Sequence, residues 1–192
     1  MGVRLGKGGT VSLSKEAPHL TAVHVGLGWD ARTTAGAAFD LDASALLATA
    51  ESRVLSDRHF VFYNNLTSPC GSVEHRGDNL TGNGDGDDET INVNLLALPA
   101  EAARIVFPVS IYEAEARGQT FGQVRNAYIR VVDQVDGREL ARFDLTADAS
   151  TETAMVFGEL YRYGAEWKFR AIGQGYASGL RGIVRDFGVS VS

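Results

Sequence analysis

Short apolar segments run the length of this chain. Glycine, proline or Asn/Asp pairs interrupt them every few residues, and only one stretch supports a convincing helix. A chain punctuated in this way cannot build a helical bundle or a βαβ series. It can bury its apolar residues by pairing many short strands into two facing sheets. Leu20 to Gly28 alternates weakly and is rich in β-branched residues, Thr90 to Leu96 alternates again, and Arg104 to Tyr112 is strongly strand-like, which predicts three strands. Pro108 marks the third as an edge or bulge. Thr10 to Leu13 and His59 to Asn64 read as further strands, the second ending at Asn64-Asn65 and a Ser68-Pro69 turn. Ala127 to Val135 and Arg138 to Leu145 form a hairpin around Asp136-Gly137, a preferred tight-turn dipeptide. Ala154 to Tyr161 and Trp167 to Ile172 form a second, turning at Gly164-Ala165. The helix is Ser178 to Phe187, with Ser178 as its N-cap and Gly188 as its stop. Shorter helical pieces are expected at Pro99 to Ala103 and at Thr120 to Val124. The expected fold is an all-β sandwich of about eight or nine short strands with one or two short helices, including a C-terminal one.

The chain has 192 residues, of which 44 % are hydrophobic, enough for one domain over residues 1–192 with a sizeable core. Its formal net charge of -6 argues against a nucleic-acid binder working through bulk charge. Cys70 is the only cysteine, so neither an intramolecular disulfide nor a thiolate cluster can form. The N-terminus lacks an apolar leader-like run, and no segment approaches the length of a membrane span. The simplest expectation is a soluble cytoplasmic protein without direct membrane insertion.

Two stretches carry chemistry. Gly77 to Glu89 (GDNLTGNGDGDDE) contains the carboxylates Asp78, Asp85, Asp87, Asp88 and Glu89, no basic residue after Arg76, and Gly82, Gly84 and Gly86. Crowding like charges into a compact loop needs a compensating positive charge, and a hard divalent cation taking about six to eight oxygens supplies it. The same composition also describes a solvated acidic loop. The run is not an EF-hand. Counted from Asp78, Leu80, Gly82 and Asn83 stand where the motif requires an acid or amide, an acid or amide, and glycine. In the second stretch, Ala37 to Leu46, a strand period of two puts Asp40 and Asp42 on one face and Phe39 and Leu41 on the other. That pair reads equally as an exposed face or as carboxylates awaiting a cation. Asn64 and Asn65 are turn formers that can also ligate calcium. Gly6-Lys7 lacks the spacing of a phosphate loop. Gly173 and Gly175 lack the third glycine and the βαβ context of a dinucleotide fingerprint.

Taken together, these stretches resemble the TerD family of tellurium-resistance and stress proteins over nearly the whole chain. The resemblance rests on VGLGWD at Val25 to Asp30, FDLDASA at Phe39 to Ala45, FVFYNN at Phe60 to Asn65 and SVEHRGDNLTGNGDGDDE at Ser72 to Glu89. It continues in FGQVRNAYIRVV at Phe121 to Val132 and EWKFRAIGQGY at Glu166 to Tyr176. It implies a calcium-binding β-sandwich, with two ions in neighbouring sites, in a bacterial cytoplasmic protein acting in resistance to tellurite or other chemical stress. Assemblies with sibling TerD-like proteins and membrane-associated resistance proteins are implied as well, and no catalytic activity. The ligand set that follows is Asp40, Asp42, Asp78, Asp85, Asp87, Asp88 and Glu89 as carboxylates, with Asn64 and Asn79 as amide or carbonyl donors. Asp30 and Asn65 stand behind them. Two positions depart from the family pattern: Cys70 in a turn that often carries a polar residue, and Asn83 where an acid is common. The rival readings are a metal-assisted hydrolase or reductase and a calcium-dependent lectin. A hydrolase needs a general base, and the spacing of His59 and His75 to the acids forms no recognised catalytic set.

Overall fold

The computed structural model describes residues 2–84, 86–145 and 151–191. In chain order its strands are β1 (Val3–Leu5), β2 (Thr10–Ser12), β3 (Ala22–Gly28), β4 (Leu41–Ala43), β5 (Ala45–Ala48), β6 (Phe60–Val61), β7 (Val73–His75), β8 (Glu89–Asn94), β9 (Arg104–Ile111), β10 (Tyr128–Asp133), β11 (Glu139–Asp144), β12 (Ala154–Tyr163) and β13 (Glu166–Tyr176). The helices are α1 (Leu13–Glu16), α2 (Ala114–Arg117) and α3 (Gly179–Asp186). One sheet runs β1-β11-β10-β3-β8-β7. The other runs β2-β13-β12-β9-β5-β6, with β4 also paired to β9.

Alternation along the strands builds the core between the sheets. Val23, Val25 and Leu27 of β3 and Ile91 and Val93 of β8 point inward from the first sheet. Ile105, Phe107 and Val109 of β9 and Leu160 and Phe169 of the second sheet meet them. Glu89 keeps the inward phase of Ile91 and Val93, so the period that buries the valines also buries a carboxylate. The outer face of β3 carries His24, Gly26 and Gly28. Helix α3 is only eight residues long, too short to persist by itself. It is held by Ile183, Val184 and Phe187, which pack on Leu46, Val106 and Val156 of the second sheet's outer face. Each such side chain contributes about 1.5–3 kcal/mol of burial.

The sandwich, the C-terminal helix and both hairpins follow the sequence reading, and the boundaries differ in instructive ways. The strand count rises to thirteen among the described residues because pieces of two or three residues, such as β6 and β7, are strands only through their neighbours. The expected strand at Thr10 to Leu13 stops at Ser12, whose hydroxyl accepts the Lys15 amide and opens α1. Ser178 precedes α3 without capping it through its side chain. Pro99 to Ala103 is a turn closed by Ala102 N to Pro99 O, and Phe121–Gln123 is a single 3₁₀ turn. Glu113 to Arg117 contains α2. Among the described residues no helix is long and apolar enough to cross a membrane.

Candidate metal centre

Two segments distant in sequence meet at one end of the sandwich. Asp40 and Asp42 flank Leu41 at the start of β4, and Asp78 lies in the loop leaving β7. One carboxylate oxygen of each lies within 4.8 Å of the others. Asp40 and Asp42 are buried and Asp78 is exposed. The Ala43 amide donates to Glu89 Oε2 at 2.6 Å, tying β4 in one sheet to β8 in the other and fixing the depth of the cluster.

Burial makes these acids expensive to ionise. It is the leading cause at all three buried positions, aided by the neighbouring carboxylates. Asp40 is raised to about 6, with Asp78 adding and Arg117 opposing. Asp42 is raised to about 8, with Glu89, Asp40 and Asp78 adding. Glu89 is raised to about 9 by burial, against the Ala43 hydrogen bond. His75 backs this group, its Nε2 3.5 Å from Glu89 Oε2. Burial lowers its pKa. The Gly77 amide donates to His75 Nδ1 at 3.2 Å, which leaves the proton of the neutral ring on Nε2, facing Glu89.

Of the three buried side-chain oxygens without a hydrogen-bond partner among the described residues, Asp40 Oδ1 and Glu89 Oε1 belong to this group, and the third is Gln119 Oε1. Each such group costs about 1–3 kcal/mol when left unsatisfied. The donor set is oxygen only, with both His75 nitrogens already directed at Gly77 and Glu89, so it fits a hard cation and not zinc. The cluster opens to a cleft of about 320 Å3 walled by Tyr63, Leu80, Tyr112 and Arg117.

The remaining expected ligands go elsewhere. Asp87 turns to the outer face of the first sheet, where both oxygens take Arg130 Nε at 2.8 and 3.0 Å and Oδ1 takes the Tyr128 hydroxyl at 2.8 Å. His24 Nε2 stands 3.6 Å away. Gly26 and Gly28 make room for this clamp. A Cβ on Gly26 would fall 2.1 Å from Asp87 Oδ2, and one on Gly28 2.4 Å from the Tyr128 ring. Asp88 accepts the Trp29 amide at 2.9 Å and Asn79 Nδ2 at 3.0 Å. Asn79 Oδ1 is engaged by the Thr81 and Gly82 amides. Asn64 is exposed at a turn. Asn65 donates to the Arg58 and Phe60 carbonyls. Asp30 accepts from Asn126 at 2.7 Å. Asp85 lies outside the described residues.

Sequence reasoning passed over the residues that hold the loop. Trp29 donates through its indole to Phe39 O at 3.1 Å and lies against Gly82, joining the two acidic segments. Arg130 and Tyr128 anchor Asp87. The legible signal was Gly-Leu-Gly at Gly26 to Gly28, which strips one strand face of side chains for something to lie on.

The sequence matches the TerD domain over residues 1–187. It is 58 % identical over 192 residues, with both chains fully covered, to the tellurium resistance protein TerD of Serratia marcescens. It is 50 % identical over 192 residues, again with both chains fully covered, to general stress protein 16U of Bacillus subtilis. The solved structure of SAV2460, described as a protein of unknown function, superposes with a TM-score of 0.73 at 27 % identity, covering 90 % of this chain and 99 % of that one. The names of these relatives describe resistance and stress response, and none states a reaction. This chain is a member of the TerD family of tellurium-resistance and stress-response proteins.

Proposed function

We propose that this chain binds calcium in the Asp40–Asp42–Asp78 cleft and serves resistance to tellurium compounds or other chemical stress as a calcium-linked, non-catalytic scaffold. The observation that carries this reading is the convergence of three carboxylates around a buried, unpartnered Asp40 Oδ1. Asp40, Asp42 and Asp78 would hold the ion, with Glu89 behind them. Calcium suits a cleft whose exposed member, Asp78, sits on a glycine-rich loop, because it accepts irregular oxygen shells. Magnesium demands a tighter octahedron and keeps its waters. A second, neighbouring ion that used Asp88 would release it from Trp29 and Asn79.

An ion bound only by the folded state stabilises it by RT ln(1 + [Ca]/Kd), about 2.7 kcal/mol at a hundredfold excess over Kd. It also pins Asp78, and with it the loop beside Tyr63 and Tyr112, so the surface at this end differs between loaded and unloaded forms. Calorimetric titration of metal-stripped protein tests the reading. Saturable calcium binding, much tighter than magnesium binding and at least about tenfold weaker in Asp78→Asn, is expected from the loss of one carboxylate ligand. Absence of binding at millimolar calcium, or equal affinity in Asp78→Asn, would overturn it.

A further inference from the structure

The outer face of the second sheet is divided. Helix α3 covers one part with Ile183, Val184 and Phe187. The part beyond it, towards the β12–β13 turn, is polar and rich in guanidinium groups. Strand register sets the arrangement. Tyr161 stands opposite Arg104 on β9 and Lys168 on β13, while Glu159 stands opposite Arg170. These side chains share the outward phase of their strands. Of these, Arg104, Glu159, Tyr161 and Arg170 wall a cleft of about 370 Å3, with Arg162 at its edge, over Ala103.

Its charge is unbalanced. Among the described residues Glu159 is the one carboxylate lining the cleft, and it is 2 % exposed. It accepts from Arg104 Nε at 2.7 Å and again from Arg104 Nη2, and Arg170 Nη1 lies 3.4 Å from its other oxygen. Arg104 is further held by the Ser52 hydroxyl. Glu159 therefore anchors Arg104 and leaves most of Arg170 outward, its side chain 45 % exposed and its guanidinium 4.9 Å from the Tyr161 ring centroid. Arg162 donates to the carbonyls of Ala102 at 3.0 Å and Pro99 at 3.4 Å and stacks over Trp167. Among the described residues no carboxylate pairs with it. Arg162 has the inward phase of β12 and lies at the edge of the cleft, so on the outward face two guanidinium groups, Arg104 and Arg170, meet one carboxylate on a chain whose overall charge is -6. The backbone and aromatic contacts hold these groups in place, so an incoming anion meets fixed donors.

We propose that this cleft is an oxyanion-binding site. Arg170 would be the charge-bearing donor, Tyr161 a hydroxyl donor, and the Arg104–Glu159 pair the base that orients them. Planar guanidinium forks match the oxygens of phosphate-like anions, and small alanine side chains leave the floor open. The site lies apart from the carboxylate cleft and is independent of calcium. Two sources share this chemistry, a phosphate group and the tellurite anion, and separate titrations distinguish them.

The experiment is calorimetric titration of the full chain, in calcium-free buffer at constant ionic strength, with inorganic phosphate in one arm and tellurite in the other. Saturable binding of either anion is expected. Arg170→Gln should weaken it about tenfold, the value of one charged hydrogen-bonded contact. Tyr161→Phe gives a second reading of the same site. Arg58→Gln, an exposed position elsewhere with the same charge change, should leave the affinity unaltered, and a thermal melt of each variant confirms that it is folded. Binding in only the phosphate arm assigns the site to phosphate-bearing ligands, and binding in only the tellurite arm assigns it to tellurite. No saturation by either anion at about 10 mM, an affinity below about 3 kcal/mol, would overturn the proposal. So would equal weakening by Arg58→Gln, which would reduce the effect to bulk charge.

Discussion

Loading the acid cleft with calcium should expel a countable number of protons. Metal ligands bind as carboxylates, so any proton held by the unloaded site must leave. Asp42 has its pKa at about 8 and Asp40 at about 6. At pH 7 these values leave Asp42 ~0.9 protonated and Asp40 ~0.1, so calcium should release about one proton per ion. At pH 9 the figure falls to about 0.1, and at pH 5 it rises to about 1.9. Apparent affinity should therefore climb about tenfold per pH unit near neutrality and level off near pH 9. Glu89, with its pKa at about 9, keeps its proton at pH 7 unless it also ligates, in which case the count approaches two. Calorimetry at pH 7 in two buffers of different ionisation enthalpy measures the number directly. Asp42→Asn should reduce it to about 0.1, because only Asp40 then carries a displaceable proton. Calcium binding with no proton release and constant affinity from pH 6 to pH 8 would refute the assignment of Asp42 as a ligand.

The same groups govern stability without calcium. Asp42 and Glu89 have folded-state pKa values above their ordinary 3.8 and 4.5. The folded state then retains protons that the unfolded chain has lost, so their contribution is full below about pH 4 and is lost as pH rises towards 8 and 9. His75, with a lowered pKa, acts in the opposite direction only below its ordinary 6.5, and from pH 7 to pH 9 the Cys70 thiol also opposes the carboxylates, since against burial its hydrogen bonds with Ser68 and Ser72 hold it below its ordinary 9.0; the series is therefore run in Cys70→Ala. Urea denaturation of calcium-free protein should show falling stability across that window, and saturating calcium should flatten the trend. An unchanged midpoint in the calcium-free series would contradict it. The Asp87 clamp gives a separate test. Asp87 is 6 % exposed at the side chain and paired with Arg130, so Asp87→Asn should cost about 1–3 kcal/mol of stability while calcium stoichiometry is kept. Loss of one bound ion with no loss of stability would make Asp87 a ligand.

What the sequence determined by itself was the architecture and the chemical type of the site. Period-two alternation in β3 and β8 dictates a sandwich, because such segments have one face to bury and only a second sheet can cover it. An oxygen-rich, glycine-punctuated run limits any bound cation to a hard one. The destinations of the individual acids were not legible. Asp87, Asp88 and Glu89 are consecutive, yet one binds Arg130, the next the Trp29 amide, and the third points into the sandwich. The strand period turns neighbouring residues to opposite faces, and the partner each meets is set by which strand lies beside it. Asp40 and Asp42 reach Asp78 only because β4 pairs with β9 in the opposite sheet while the Ala43 amide binds Glu89 across the gap. Local propensity carries no record of such a crossing. Only the packing of one sheet on the other turned a scattered set of carboxylates into a cleft.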